Sequence, residues 1–265
     1  PMPTASESAA AEARFWDSLA IWTGSDFPEV FADTPPTEAA VVRFHDPSDD
    51  LVRRSERIGV SFADDSLVGL AGAAAVLARR EADAWESDVP DRAMKAYDDR
   101  RHLFSDRIVH WAVPWLAAIG RCLPEHRDIV DPHVEGLLGI GEEMRVAPAF
   151  GAGEGLHLPG EDALGPIDLD VPLPDLLSSM WSGLVFTGAT VRAMGLGEGG
   201  RVLPPEVFDD AGIVLELATL YEISAARWGR IAEDHPGTAA LWEAMSRRAK
   251  MTRDLLGHRA QSLEA

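Results

Sequence analysis

Apolar residues recur along this chain at steps of three and four. Leu67, Leu70, Ala74 and Leu77 form one such series, and Leu177, Met180, Leu184 and Val191 a second. Ile213, Leu217, Leu220, Trp228 and Ile231 form a third, followed by Leu241, Met245 and Ala249. This period gathers apolar side chains on one face of a helix, whereas a half-buried strand would alternate at every second residue. No convincing alternating run is found, so the pattern predicts an all-α helical bundle. Asp46-Pro47 and Asp131-Pro132 read as helix starts. An Asp carboxylate there accepts an orphan N–H, and proline lacks a donor where none is needed. Trp111, Trp115, Trp181, Trp228 and Trp242 fall on apolar stripes and are expected in the core. Trp16 and Trp22, near the start, are candidates for lining an interaction groove.

Two breaks interrupt the helical pattern. Residues 148–173 hold five Gly and four Pro among acidic residues, too long a stretch for an ordinary helix connection, and residues 195–205 form a shorter break. The expected organisation is a helical module over 1–147, a linker or long loop over 148–173, and a C-terminal helical module over 174–265. The two modules can also pack as one domain. With 265 residues, 46% of them hydrophobic, the chain can bury one large core or two modest ones.

Charge narrows the choice of partner. Twenty-four basic residues against 44 acidic ones leave a formal charge of −20, and the pI is about 4.7. Such a surface repels phosphate, which argues against nucleic acid and anionic membrane, and it favours basic ligands such as arginine-bearing peptides. Cys122 is the single cysteine, so neither an intramolecular disulfide nor a cysteine cluster for metal is possible. Residues 1–14 are polar and acidic, and the longest apolar run, 68–78, is too short to span a bilayer. A cytoplasmic location without membrane insertion is the expectation.

The stretch between residues 30 and 145 resembles the TorD-like chaperones, all-helical proteins that mature molybdenum-containing oxidoreductases. Pro35, Pro36 and Glu38 match the Pro-Pro-Tyr-Glu-Ser segment of that family, with Thr37 at the aromatic position. Residues 53–59 resemble the helix that ends in Gly before an acidic turn. Asp64 and Asp65 supply that turn, with Ser66 where the family carries His. Asp106 and Trp111 match a later Asp-His…Trp element, with Arg107 replacing its His. The resemblance implies a non-enzymatic chaperone without a cofactor of its own. Its partner would be an apo-oxidoreductase catalytic subunit or that subunit's signal peptide. Asp64, Asp65, Ser66, Asp106, Arg107 and Trp111 are the client-binding residues it implies. The acidic ones would attract paired arginines, and Trp111 would offer apolar area. The family's N-terminal bundle has little counterpart here, and the C-terminal helices are surplus to the family and could occupy its place.

Two other constellations compete. Asp99, His102, Asp106 and His110 succeed one another at steps of three, four and four, so an unbroken α-helix would carry all four on one face. His and carboxylate ligands suit zinc, iron or manganese. Successive turns lie about 5.4 Å apart, so at most two could reach one ion, and other helices would have to complete the set. The segment from Glu216 through Glu222 to His235, with Trp242 onward, is similar to the helix pair of rubrerythrin-type ferritin-like proteins. Arg247, Arg248 and Thr252 stand where its second helix needs Glu and His, so no di-iron site results. The Gly-rich stretches 151–155 and 195–200 come after no strand and lack a Gly-Lys-Ser/Thr ending, and no Gly-x-Ser-x-Gly elbow occurs.

Overall fold

Ser66 shows how the sequence sets its helices: its hydroxyl accepts the Gly69 N–H at 3.1 Å and caps the helix that begins at Leu67. The computed structural model describes residues 4–24, 60, 66–146, 172–178, 180–196 and 203–265. The chain is all-α, and no β-strand occurs among the described residues. Helix α1 spans Ala5–Gly24, α2 Leu67–Glu86 and α3 Pro90–Leu103. Helix α3 runs through a π-helical turn, Phe104–Ile108, into α4, Val109–Cys122. A 3-10 turn, Pro124–His126, leads into α5, Arg127–Val146. Next come the short helices α6, Leu173–Ser178, and α7, Gly188–Ala193, and two long ones, α8, Ala211–Asp234, and α9, Ala239–Glu264. Asp210 caps α8 by accepting the Gly212 and Ile213 N–H groups, and Pro90 opens α3 at a position where its missing donor is harmless.

The predicted stripe Leu67, Leu70, Ala74 and Leu77 is buried along its whole length. On the same helix Ala71, Ala75 and Ala78 are buried too, and α1 brings Ala9 and Ala13 against α2. Small residues at a contact let two helices approach closely. One core gathers α1 to α5 together with Met180, Val185, Trp228, Trp242 and Met245. A second gathers α6, α7 and the outer halves of α8 and α9 around Phe186, Phe208, Val214 and Tyr221. Helices α8 and α9 therefore contribute to both cores. At the junction Trp228 and Trp242 stack, with ring centroids 5.4 Å apart and planes 15° from parallel.

Several sequence expectations need correction. Asp131-Pro132 does not start a helix: α5 begins at Arg127, and Pro132 lies inside it. Proline there removes the donor to the Asp128 carbonyl, a loss tolerated because Asp128 is exposed to solvent at the helix start. Leu177, Met180, Leu184 and Val191 are all buried but do not share one helix. The chain breaks between them at Gly183, whose φ is +100°. Trp16 and Trp22 do not line a groove. Trp16 is buried with its ring edge-on to Phe104, and Trp22 packs on Trp115 and stacks on His133. Trp111, Trp115, Trp228 and Trp242 are core residues as expected. Pro35 to Glu38, Asp46-Pro47, residues 53–59, residues 148–171 and the side chain of Trp181 lie outside the described part of the chain.

Gly183 is held from two directions. Its carbonyl accepts both the Ser224 hydroxyl and the Trp228 indole N–H at 2.8 Å, and a Cβ at this position would meet the Ala249 backbone nitrogen at 2.5 Å. Gly195 also has positive φ, +69°, but a Cβ there would meet nothing within 4 Å. Gly183→Ala should therefore destabilise the fold by roughly 3 kcal/mol, combining backbone strain with a steric clash, and Gly195→Ala by only about 1 kcal/mol. Urea unfolding of the two variants checks the ordering.

A pH dependence arises from His133. Burial holds its imidazole below the ordinary value of 6.5, with the bond to the Ile129 carbonyl only partly opposing that shift. A depressed folded value means that the stabilisation is complete above the unfolded value and fades as pH falls through the folded one. His133→Phe should flatten the loss of stability below about pH 6.5. Urea midpoints from pH 7.5 to 5 read this out.

Candidate functional site

Asp106 and Arg107 sit on the π-helical turn Phe104–Ile108, a rare geometry frequently found at functional sites. A π turn accommodates one residue more than an α turn, so side chains beyond it are rotated by about 100° from their α-helical positions. That rotation divides the Asp99, His102, Asp106 and His110 series. His102 is exposed and its Nδ1 lies 2.7 Å from the Asp98 carbonyl, while Asp99 accepts the Lys95 ammonium at 2.6 Å. His110, past the turn, is buried. Among the described residues no group of three or more His, Cys, Asp and Glu is placed to hold a metal ion, so these four form no ligand set.

Of the residues that the resemblance singles out, Ser66, Asp106, Arg107 and Trp111 belong to the described part of the chain. Asp64 and Asp65 lie outside the described residues. Ser66 serves as the cap of α2. Asp106 is half-buried and accepts the Ser105 hydroxyl at 3.0 Å. Arg107 is 3% exposed, and Trp111 is fully buried with its indole N–H donating to the Arg107 carbonyl at 2.6 Å. Both side chains are buried beside the π turn, and the Trp111 bond ties the turn to α4.

A different acidic site is built from α1, α2 and α3. Glu12, Glu81 and Arg100 each continue an apolar stripe. Glu12 lies between Ala9 and Trp16, Glu81 four residues beyond Leu77, and Arg100 four beyond Ala96. Helical periodicity therefore turns all three charges inward. Arg100 is 3% exposed and forms ion pairs with Glu12 and, at 2.6 Å, with Glu81. Burial works against the guanidinium charge, but the two carboxylates outweigh it and leave Arg100 above its ordinary value. Burial also pushes the Glu81 carboxyl up, more than Arg100 draws it down. The Tyr97 ring lies 5.4 Å below the guanidinium and its hydroxyl donates to the Met144 carbonyl at 3.3 Å.

These charges border a cavity of about 160 Å³ whose other walls are Ala5, Ala9, Trp85, Met94, Tyr97 and Met144. Glu143 stands at its rim, its carboxyl raised first by partial burial and then by the charge of Glu12. Three carboxylates therefore face one guanidinium. The surplus is negative, and the walls are apolar and rich in methionine, a side chain that adapts to varied shapes. A volume well below the roughly 300 Å³ of small-molecule pockets suits a single inserted side chain. The complementary guest is a cation on an apolar stem. Sequence reading missed this site because its charges are separated along the chain. The usable signal was a charged residue standing where each stripe calls for an apolar one.

No protein-family model matches the chain, and no curated protein or solved structure matches it. The site is therefore read from its own chemistry.

Arg100→Met would leave Glu12 and Glu81 facing each other without a counter-charge. At neutral pH the loss should be about 3–5 kcal/mol, the range for breaking a buried ion pair by removing one partner. With Arg100 gone, burial raises the Glu81 carboxyl with no guanidinium beside it to draw it down. Stability should therefore return as pH falls toward the carboxylate range and be lost again as pH rises. Urea midpoints at pH 7.5 and 5 measure the recovery.

Proposed function

We propose that this protein is a non-enzymatic, cytoplasmic chaperone that captures a basic, partly apolar segment of a client polypeptide. The client is an apo molybdenum-containing oxidoreductase subunit or its signal peptide, held while cofactor insertion proceeds. The observation that carries capture is the cavity bordered by Glu12, Glu81, Glu143 and Arg100, with its surplus of negative charge, its apolar walls and room for one side chain. An arginine or lysine entering it would lay its methylenes on Met94 and Met144 and bring its charge to the carboxylates. The formal charge of −20 adds long-range attraction for such a segment. The client class rests on the order of Pro35-Pro36, Asp65, Asp106 and Trp111, which resembles the TorD-like pattern. Asp64, Asp65 and half-buried Asp106 are the candidates for a second client cation. Binding and release suffice for this role, and no bond is made or broken. The reading is also compatible with the described helices, none of which is long and apolar enough to cross a membrane.

A fluorescein-labelled peptide with paired arginines ahead of an apolar run tests the reading by anisotropy. Glu143→Gln should weaken binding about two- to fivefold, as expected for one rim charge. Ser8→Trp, which puts a large side chain at an exposed residue of the cavity lining, should weaken it more, and a peptide with both arginines changed to glutamine should not bind. Equal binding by the two peptides, or no response to either substitution, would overturn the proposal.

A further inference from the structure

A second cavity, of about 480 Å³, lies where α4 and the start of α5 meet α8, and its charge is opposite to that of the protein. Arg121, Arg127 and Arg227 all line it, with Asp131 as the one carboxylate among the described lining residues. In a chain carrying 44 acidic and 24 basic residues, such a grouping of cations is not what average composition would give.

Among the described residues the three guanidiniums are poorly neutralised. Arg227 makes no hydrogen bond or ion pair among the described residues. Its value is held below the ordinary one by burial first and by the charge of Arg121 next, with Asp131 opposing. Arg121 is likewise held down by burial. It donates through Nη2 to the Val185 carbonyl at 2.9 Å, and its buried Nε has no acceptor among the described residues. Arg127 donates through Nε to the Gly120 carbonyl at 3.0 Å, which ties it to the C-terminal end of α4, and its Nη donors have no hydrogen bond among the described residues. Partly desolvated like charges repel one another, and water does not relieve the repulsion as it would on an open surface. An anion placed among them removes that repulsion.

Apart from Ser224, whose hydroxyl donates to the Gly183 carbonyl, the side chains around the rest of the cavity are apolar: Pro114, Leu184, Val185, Leu220 and Trp228 form its walls. Ile223, also in the lining, is a large hydrophobic residue left 58% exposed. The volume falls within the range of about 300–1,000 Å³ typical of small-molecule sites, three times that of the acidic cavity. We infer that this cavity binds a small amphiphilic oxyanion, a carboxylate or phosphate head on a compact apolar body. Arg121, Arg127 and Arg227 take the head through charge-assisted hydrogen bonds. Leu220, Ile223 and Trp228 cover the body. The cavity shares no lining residue with the acidic one, so this inference does not rest on the peptide-capture reading.

Calorimetric titration of the full chain with phenyl phosphate, phenylacetate and inorganic phosphate tests it. Saturable one-to-one binding of phenyl phosphate or phenylacetate is expected, and whichever binds more tightly identifies the head. Arg227→Gln should weaken that binding about tenfold or more, the loss typical of a charged hydrogen-bonding partner. Arg127→Gln, at an exposed residue, should weaken it less, and Ile223→Asp should weaken it by removing apolar cover and adding a like charge. Far-UV circular dichroism and urea midpoints confirm that each variant is folded. Three results would overturn the inference. Neither organic probe binds at millimolar concentration; or binding is unchanged by both Arg227→Gln and Ile223→Asp; or inorganic phosphate binds as tightly as phenyl phosphate, which would remove the apolar body from the proposal.

Discussion

A guanidinium removed from water needs opposite charge within reach, and Arg100 finds it on two helices at once. Glu12 comes from α1, Glu81 from α2 and Arg100 from α3, so the pairing fixes the relative rotation and height of all three. The apolar contacts around it are less particular. Alanines on α1 and α2 would pack almost as well after a small slide, whereas a slide that separates a carboxylate from Arg100 leaves a buried charge unmatched. Ion pairs of this kind are weak evidence for stability, and their better-attested contribution is to specify one arrangement among near-equals. The arrangement also forces a surplus of carboxylate next to an apolar cavity. Register and the charge beside the cavity thus come from the same three side chains.

Helical architecture was legible wherever one period ran unbroken. The stripe from Leu67 to Leu77 sits in the core as its spacing predicts, since nothing in α2 disturbs 3.6 residues per turn. Expectation failed where a single residue or a single turn changed the geometry. Gly183 splits the series from Leu177 to Val191, because its positive φ turns the chain and its close approach to Ala249 fixes the turn. The π turn at Phe104–Ile108 separates His102 from His110, since one extra residue in the turn rotates every side chain beyond it. Neither feature leaves a signature in hydrophobic periodicity, which averages over several turns. Tryptophan was read correctly by its place on a stripe and misread by its nearness to the chain start. Trp16 and Trp22 obey the stripe.

The candidate sites were less legible than the fold for a related reason. Glu12, Glu81 and Arg100 are drawn together from positions 12, 81 and 100, and Arg121, Arg127 and Arg227 across the α4–α5 turn and α8. No local motif encodes either group. What sequence does carry is the violation: a charge at a core position of an amphipathic helix, which needs a partner from elsewhere. Read this way, Glu81 on the stripe of α2 is more informative than the acidic residues that merely crowd a surface.

The two cavities relate differently to the charge of the whole protein. A cation approaching the Glu12–Glu81–Glu143 cavity is attracted both by the cavity and by the surrounding excess of acid, so distant charges assist its arrival. An anion approaching the arginine cavity is attracted only within the last few ångströms and is repelled before that. Salt screens charges separated by more than about 10 Å at 0.1 M while leaving partly buried contacts less affected. Screening therefore removes help from the cation and hindrance from the anion. The proposed cation capture would lose long-range attraction as ionic strength rises, while the proposed anion binding would lose part of its short-range attraction but be freed from the opposing field. One acidic surface would in this way keep the two proposed guests apart, through its range rather than through any contact between the cavities.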